Sequence, residues 1–277
     1  MMLSVMLSIT LSSCAMLEET MAPSSSSEAE APVSSEASSS EASSASNQLA
    51  RRKTPNTAAD VFKAIAYEQE KNPDALGWLM IPGMSIDDPV VQSHDNLYYL
   101  RRTDRGAEDI YGCYFADAEC SLSPNGELSR NTVIYGHSDL QDNPDGPKFS
   151  QLFRLTEKTF AEETPCIYFS TAGRYMVWEI FAVFYTDLDD VNYIAVSGLD
   201  DAGLSQLIAQ ARERSIYHYD IPFEESGEHI LTLSTCTVKY GSRSDQRFVV
   251  MARLLPDGEE PQRAKLEVNP NPVQPEF

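Results

Sequence analysis

The segment Ile230-Leu231-Thr232-Leu233-Ser234-Thr235-Cys236 reads as a short apolar strand that ends on a thiol. A polar loop over 237–246 follows, and Arg247 then opens a second strand, Phe248-Val249-Val250-Met251-Ala252-Arg253-Leu254. If the two pair antiparallel, their facing ends bring Cys236 and Arg247 side by side. Runs of the same kind recur upstream at 77–82, 89–92, 111–115, 132–135, 166–169 and 175–185, parted by turn residues such as Gly83 and Asp87-Asp88. Helical patterns are few. Val61, Phe62, Ile65 and Ala66 predict a helix over 57–71, closed by Pro73, and Asp200-Asp201 cap a second one carrying Leu204, Leu207, Ile208 and Ala211. Many short strands and few helices point to a mainly β chain, a closed β-barrel rather than a doubly wound sheet. No internal repeat is visible.

Around this body the composition changes. The chain has 277 residues with 42 acidic and 21 basic side chains, a formal charge of −21. That length suits one domain of ~200 residues with appendages. Such acidity argues against binding nucleic acid or anionic lipid through charge alone. Five cysteines at scattered spacing fit neither a disulfide scaffold nor a zinc ribbon, so neither a metal nor a cofactor is expected. No run reaches the ~18–20 apolar residues of a membrane span.

Residues 1–14 begin with an apolar run from Met1 to Leu11 and end in Leu11-Ser12-Ser13-Cys14. The run reads as the apolar region of a secretory signal, without the basic residues that usually precede one. Leu-Ser-Ser-Cys resembles a bacterial lipobox, which makes Cys14 a lipidation candidate; the other reading is an anchor helix whose beginning has been clipped. On either reading the chain leaves the cytoplasm. Residues 15–55 are rich in Ser, Ala and Glu, have almost nothing to bury, and are expected to be a disordered tether. The catalytic or binding body then spans 56–255, and 256–277, with five Pro, is expected to be an extended acidic tail. Six acids lie in 1–50, and five acids with two bases in 256–277, so the body keeps −12. Within it Lys239, Arg243 and Arg247 gather near Cys236, an expected local concentration of positive charge.

A third run, Asn131-Thr132-Val133-Ile134-Tyr135-Gly136-His137-Ser138, delivers an imidazole at the end of a β-branched strand. Singly, each of these residues has an ordinary reading: a surface histidine, a buried inert thiol, a solvated edge arginine. Together they supply what thiol acyl transfer needs. A thiol requires a base or a positive field to become a thiolate, and the tetrahedral oxyanion requires a donor. His137 meets the first need and Arg247 the second.

Thr-Leu-Ser-Thr-Cys followed eleven residues later by Arg, with Val-Ile-Tyr-Gly-His upstream, resembles the sortases, specifically class B. Gly77-Trp78-Leu79, Pro89-Val90-Val91-Gln92, Asp95-Asn96-Leu97-Tyr98-Tyr99-Leu100 and Gly112-Cys113-Tyr114-Phe115-Ala116-Asp117 extend the likeness over ~200 residues. The resemblance implies a sortase-type barrel with an N-terminal helix and a helix in the long connection before the cysteine strand. It implies a cysteine transpeptidase at the extracellular face of the cytoplasmic membrane of a Gram-positive bacterium, anchored by its N-terminus. Its partners would be surface proteins bearing a C-terminal sorting signal, with an amine of a cell-wall precursor or a pilin as acceptor. Cys236 would be the nucleophile, His137 the proton carrier and Arg247 the group holding substrate backbone and oxyanion. Asn96, Leu100, Tyr193, Ile194 and Ser234 match groove positions. The chain departs from some members in placing Thr237-Val238 where they carry an acid beside the cysteine. Cys113, Cys120 and Cys166 match no family role and are expected to be buried, idle thiols, with a disulfide as the alternative. Two other classes use the same residues differently: a hydrolytic cysteine protease, which normally orients its histidine with Asn or Asp, and an inactive binding barrel.

Overall fold

The computed structural model describes residues 56–122, 128–224, 226–241, 243–261 and 264–276. The expectations for 1–14, including Cys14, and for the 15–55 tether lie outside these. The first element, α1 (Ala58–Gln69), is capped by Thr57, whose hydroxyl accepts the Asp60 N–H, and it buries Val61 and Ile65. Ala66, expected on the same face, is exposed. Strands β1 (Ala75–Ile81), β2 (Ile86–Val91), β3 (Tyr114–Ala116) and β4 (Asn131–Tyr135) follow. Next come a 3-10 helix (Lys148–Thr156), α2 (Lys158–Glu163), β5 (Cys166–Thr171), β6 (Val177–Asp187), α3 (Asp201–Arg214) and β7 (Tyr217–Tyr219). The chain closes with β8 (Ile230–Cys236), β9 (Gln246–Leu254) and β10 (Leu266–Val268).

Among the described residues eight strands close into a barrel in the order β1-β2-β3-β4-β8-β9-β6-β5, with β5 pairing back on β1. Closure removes the exposed edges that an open sheet of such short strands would present. The barrel is filled by Leu79, Ile134, Phe169, Trp178, Leu233 and Phe248, all inaccessible to solvent. Trp178 donates its indole N–H to the Phe169 carbonyl at 2.9 Å, so its one polar atom is satisfied inside the core. Helix α3 is capped by Asp200, which accepts the Gly203 N–H at 2.8 Å. Its apolar face, Leu204, Leu207, Ile208 and Ala211, covers Phe181, Phe184, Val249 and Met251 on the outside of β6 and β9.

The fold class read from the sequence holds, with local differences. The strand expected at 111–115 is confined to β3, because the chain turns just before it, with Gly112 at φ 56°. The C-terminal stretch does not trail away as an extended tail throughout. Strand β10 pairs antiparallel with β7 (Leu266 opposite Tyr219), and Asn269 donates its side-chain N–H to the Ser215 carbonyl at 2.8 Å. Val273 donates its N–H to the Glu213 carbonyl at 3.0 Å. Helix ends leave carbonyls without intrahelical partners, and the tail supplies donors to those at the C-terminal end of α3.

The connection between β6 and α3 is pinned at two points. Asn131, at the start of β4, donates to the carbonyls of Tyr193 and Ala195 at 2.9 and 3.0 Å. Arg214 grips Asp190 through two bonds of 2.8 and 2.6 Å. Those bonds hold the Asp190 carboxyl below its ordinary range. A depressed folded value means stabilisation that is present above the unfolded value near ~3.9 and lost as pH falls through the folded one. Asp190→Asn should therefore cost about 1–3 kcal/mol at pH 7. In urea denaturation the gap to the unsubstituted protein should close toward acid pH; a gap independent of pH would refute this linkage.

Candidate active site

Two ladders set the site. In the antiparallel pairing of β8 with β9, Cys236 lies opposite Arg247. In the parallel pairing of β4 with β8, Tyr135 lies opposite Ser234, and the Gly136 N–H continues the ladder to the Ser234 carbonyl at 3.3 Å. Strand β8 is thus flanked by the two strands that carry its partners, and His137 leaves β4 level with Cys236. Gly136 is required by space. A Cβ there would stand 2.7 Å from a Phe149 ring carbon and 2.9 Å from Tyr114.

His137 is half-buried, and its Nε2 lies 2.7 Å from the Leu100 carbonyl oxygen. A carbonyl only accepts, so Nε2 carries the proton and Nδ1 is left as the nitrogen able to exchange one. Leu100 stands at the end of an anchored segment: Tyr99 donates its hydroxyl to Asp74 at 2.7 Å and accepts from Asn72 at 2.8 Å. Arg247 is buried, with Nη1 donating to the Ser244 and Gln246 carbonyls at 2.7 and 2.8 Å, which fixes the guanidinium at the rim of the cleft. Ser138 donates its hydroxyl to the Cys236 carbonyl at 2.7 Å.

A cleft with about 540 Å³ of empty volume opens over these groups, and His137, Cys236 and Arg247 all line it. Of the expected groove residues Leu100, Tyr193, Ile194 and Ser234 also line it. Tyr193 is buried, and its hydroxyl and that of Ser234 are 3.1 Å apart. Asn96 does not belong to the lining. Its amide donates to Asp117 at 2.8 Å and accepts the Ala118 N–H at 2.8 Å, so both ends are engaged in holding the loop after β3. The sequence reading missed Phe115, Tyr135, Leu188 and Thr235 as lining residues. Leu188, an apolar side chain inside the acidic run Asp187 to Asp190, was the one of these with a signal of its own.

The expected pool of positive charge is smaller than the sequence suggested. Arg243 is paired with Asp245 at 2.6 Å, and Lys239 lies over the Tyr185 ring, 5.4 Å from its centre. Arg247 is therefore the cation that faces the cleft from this region. Cys113, Cys120 and Cys166 are buried free thiols, as expected. Burial pushes the first two up to about 12 and the third to about 11, so they hold almost no thiolate at neutral pH. Cys236, half-buried at the cleft, is the described cysteine within reach of a substrate. Among the described residues no group of three or more His, Cys, Asp or Glu side chains is arranged to hold a metal ion.

A thiol, an imidazole and a guanidinium gathered on one rim of a closed barrel define a candidate site for acyl transfer through sulfur. The sortase domain model matches residues 79–255, and the chain belongs to the sortase family. It is 29% identical over 202 residues to sortase B of Listeria monocytogenes, covering 73% of this chain and 78% of that protein. Against sortase B of Staphylococcus aureus it is 29% identical over 185 residues, covering 66% and 71%. Its fold is similar to that of a Staphylococcus aureus sortase B–substrate complex, with a TM-score of 0.62 and 25% identity over 72% of this chain and 87% of that one. It also resembles Clostridium perfringens sortase B, with a TM-score of 0.61 and 26% identity over 69% and 99%. The relatives are of class B, and membership supports a cysteine transpeptidase.

The crowding at Gly136 gives a direct check on how tightly the rim is built. Gly136→Ala should destabilise the protein by about 1–3 kcal/mol, since Phe149 and Tyr114 must shift to admit the methyl group. Urea denaturation measures this; a loss below about 0.5 kcal/mol would show that the rim yields freely.

Proposed function

We propose that this chain is a class B-type sortase that cleaves a C-terminal sorting signal after Thr and transfers the released acyl group to an amine. The observation that supports this most is the double register of β8, which sets Cys236 opposite Arg247 and level with His137. The Cys236 sulfur, as thiolate, attacks the Thr carbonyl carbon. The C–O double bond opens to an oxyanion, for which Arg247 is the nearby cation. As the oxyanion collapses the peptide C–N bond breaks, and protonated Nδ1 of His137 gives its proton to the departing amine. A thioester on Cys236 remains. The incoming amine attacks it, loses a proton to Nδ1, and the sulfur departs as thiolate.

The orientation of His137 favours a transpeptidase over the protease reading. In thiol proteases an Asn or Asp side chain holds the histidine tautomer, whereas here the Leu100 backbone carbonyl meets Nε2. The acceptor is an amine of a cell-wall precursor or of a pilin. The domain works at the outer face of the cytoplasmic membrane, joined to its point of attachment through the Ser-, Ala- and Glu-rich stretch 15–55. Attachment is through residues 1–14, by lipidation of Cys14 or by an anchor helix. Among the described residues no helix is long and apolar enough to cross a membrane.

The test is a panel of sorting-signal peptides incubated with and without amine nucleophiles, with products read by mass spectrometry. The unsubstituted protein should release the segment after Thr and form an amide with added amine. Cys236→Ala should abolish turnover, and Arg247→Ala should lower kcat by about 10²–10³-fold. Turnover that survives Cys236→Ala would sink the proposal, and cleavage without amine incorporation under any acceptor would establish the protease instead.

A further inference from the structure

The residues that follow His137 are stitched to the residues that follow Cys236. Ser138 donates to the Cys236 carbonyl. Further along the same loop, Asp142 accepts the Thr237 hydroxyl at 2.5 Å, and both its carboxylate oxygens lie 3.1 Å from the Val238 N–H. Thr237 is buried and Asp142 half-buried, so this contact is partly shielded from water. The loop that presents Asp142 is itself framed: Asp139 accepts the N–H groups of Gln141 and Asn143 at 3.1 and 2.9 Å, and its own N–H reaches the Ser150 hydroxyl at 2.8 Å. Asp142 sits at φ 51°, a left-handed conformation that residues other than glycine seldom adopt. Asp enters this region more readily than most side chains, and here it aims a carboxylate at the turn beyond the nucleophile.

We propose that Asp142 is a positioning residue that, with Ser138, clasps the Cys236 turn to the His137 loop and so fixes the thiol relative to the imidazole. The proposal rests on the reading of Cys236 and His137 as the reacting pair. Stability alone does not account for a carboxylate here. Burial pushes the Asp142 carboxyl up, against the bonds from Thr237 and Val238. Of the charged and titratable groups that act on it, Asp139 opposes its charge, Lys239 favours it, and Tyr185 faces it from β6. A carboxylate placed at this cost in desolvation is explained by geometry: its two oxygens hold a hydroxyl and a backbone N–H at once, which Ala cannot do and Asn can do only through its single carbonyl oxygen.

The test uses the full chain and two readouts. The first is the pH dependence of iodoacetamide alkylation, followed by mass spectrometry on the peptide containing Cys236. The second is kcat and KM for a sorting-signal peptide. Asp142→Ala and Thr237→Val should each lower kcat about tenfold with KM within twofold, and should shift the alkylation profile toward that of His137→Ala. The double variant should be no worse than the more severe single one, because both remove the same bond. Asp142→Asn keeps the shape and should be intermediate; it decides the matter if Asp142→Ala does not fold. An alkylation profile and a kcat within twofold of the unsubstituted protein, or full multiplication of the two single effects, would overturn the clasp. If the alkylation profile shifts as expected while no sorting peptide is turned over by the unsubstituted protein, the clasp stands and the sortase substrate reading fails.

Discussion

Everything at the candidate site depends on the hydrogen-bond register of one strand. β8 pairs parallel with β4 on one side and antiparallel with β9 on the other. A parallel neighbour ends where β8 ends, so it delivers its next residues beside Cys236; an antiparallel neighbour begins there, so it delivers Arg247. Because side chains alternate faces along a strand, a slip of one residue in either ladder would send the core set outward and separate the three groups. Burial enforces the register. Leu231 and Leu233 are inaccessible to solvent, and their partners Ala252 and Val250 are equally enclosed.

The barrel sets the three reactive groups, and the loops complete the cleft around them. Each loop is held by polar bonds that reach back to a regular element. Asn131 does this from inside β4: its amide nitrogen holds the Tyr193 and Ala195 carbonyls while its oxygen accepts the Thr232 hydroxyl at 2.7 Å. One buried side chain thereby links β4, β8 and the wall of the cleft. Arg214 fixes the same wall from α3 through Asp190, and Tyr99 fixes the opposite wall through Asp74. Bonds of this kind, satisfied and at least partly buried, give a rim little freedom to rearrange.

The electrostatics follow from burial more than from composition. Three thiols are enclosed among apolar side chains and are inert, while Cys236 stands at the cleft with Arg247 across the ladder. The formal charge of −21 gives no hint of this. Arg243 is neutralised by Asp245, and a carboxylate, Asp142, approaches the same turn from a distant loop. The charges near Cys236 are therefore set by a few pairings rather than by the overall composition.

The sequence by itself determined the barrel class, the two long helices and the three groups on the rim. Those are local properties: strand-length apolar runs, capped helical periodicity, and reactive residues placed at strand ends. It also placed Cys236 opposite Arg247, since two strands joined by a single loop have one simple way to pair. What only the tertiary structure decided is long-range. The level match of His137 with Cys236 needs a parallel pairing between strands almost a hundred residues apart, which no local pattern encodes. Asn96 carries an apt side chain in an apt segment, yet Asp117 and Ala118 engage it away from the cleft. The C-terminal stretch looks featureless, with its five Pro, but finds an edge in β7 and unpaired carbonyls at the C-terminal end of α3. The physical reason is common to all three. A hydrogen bond between distant segments depends on which unpaired donors and acceptors the finished fold brings within about 3 Å, and that is settled only when the barrel closes.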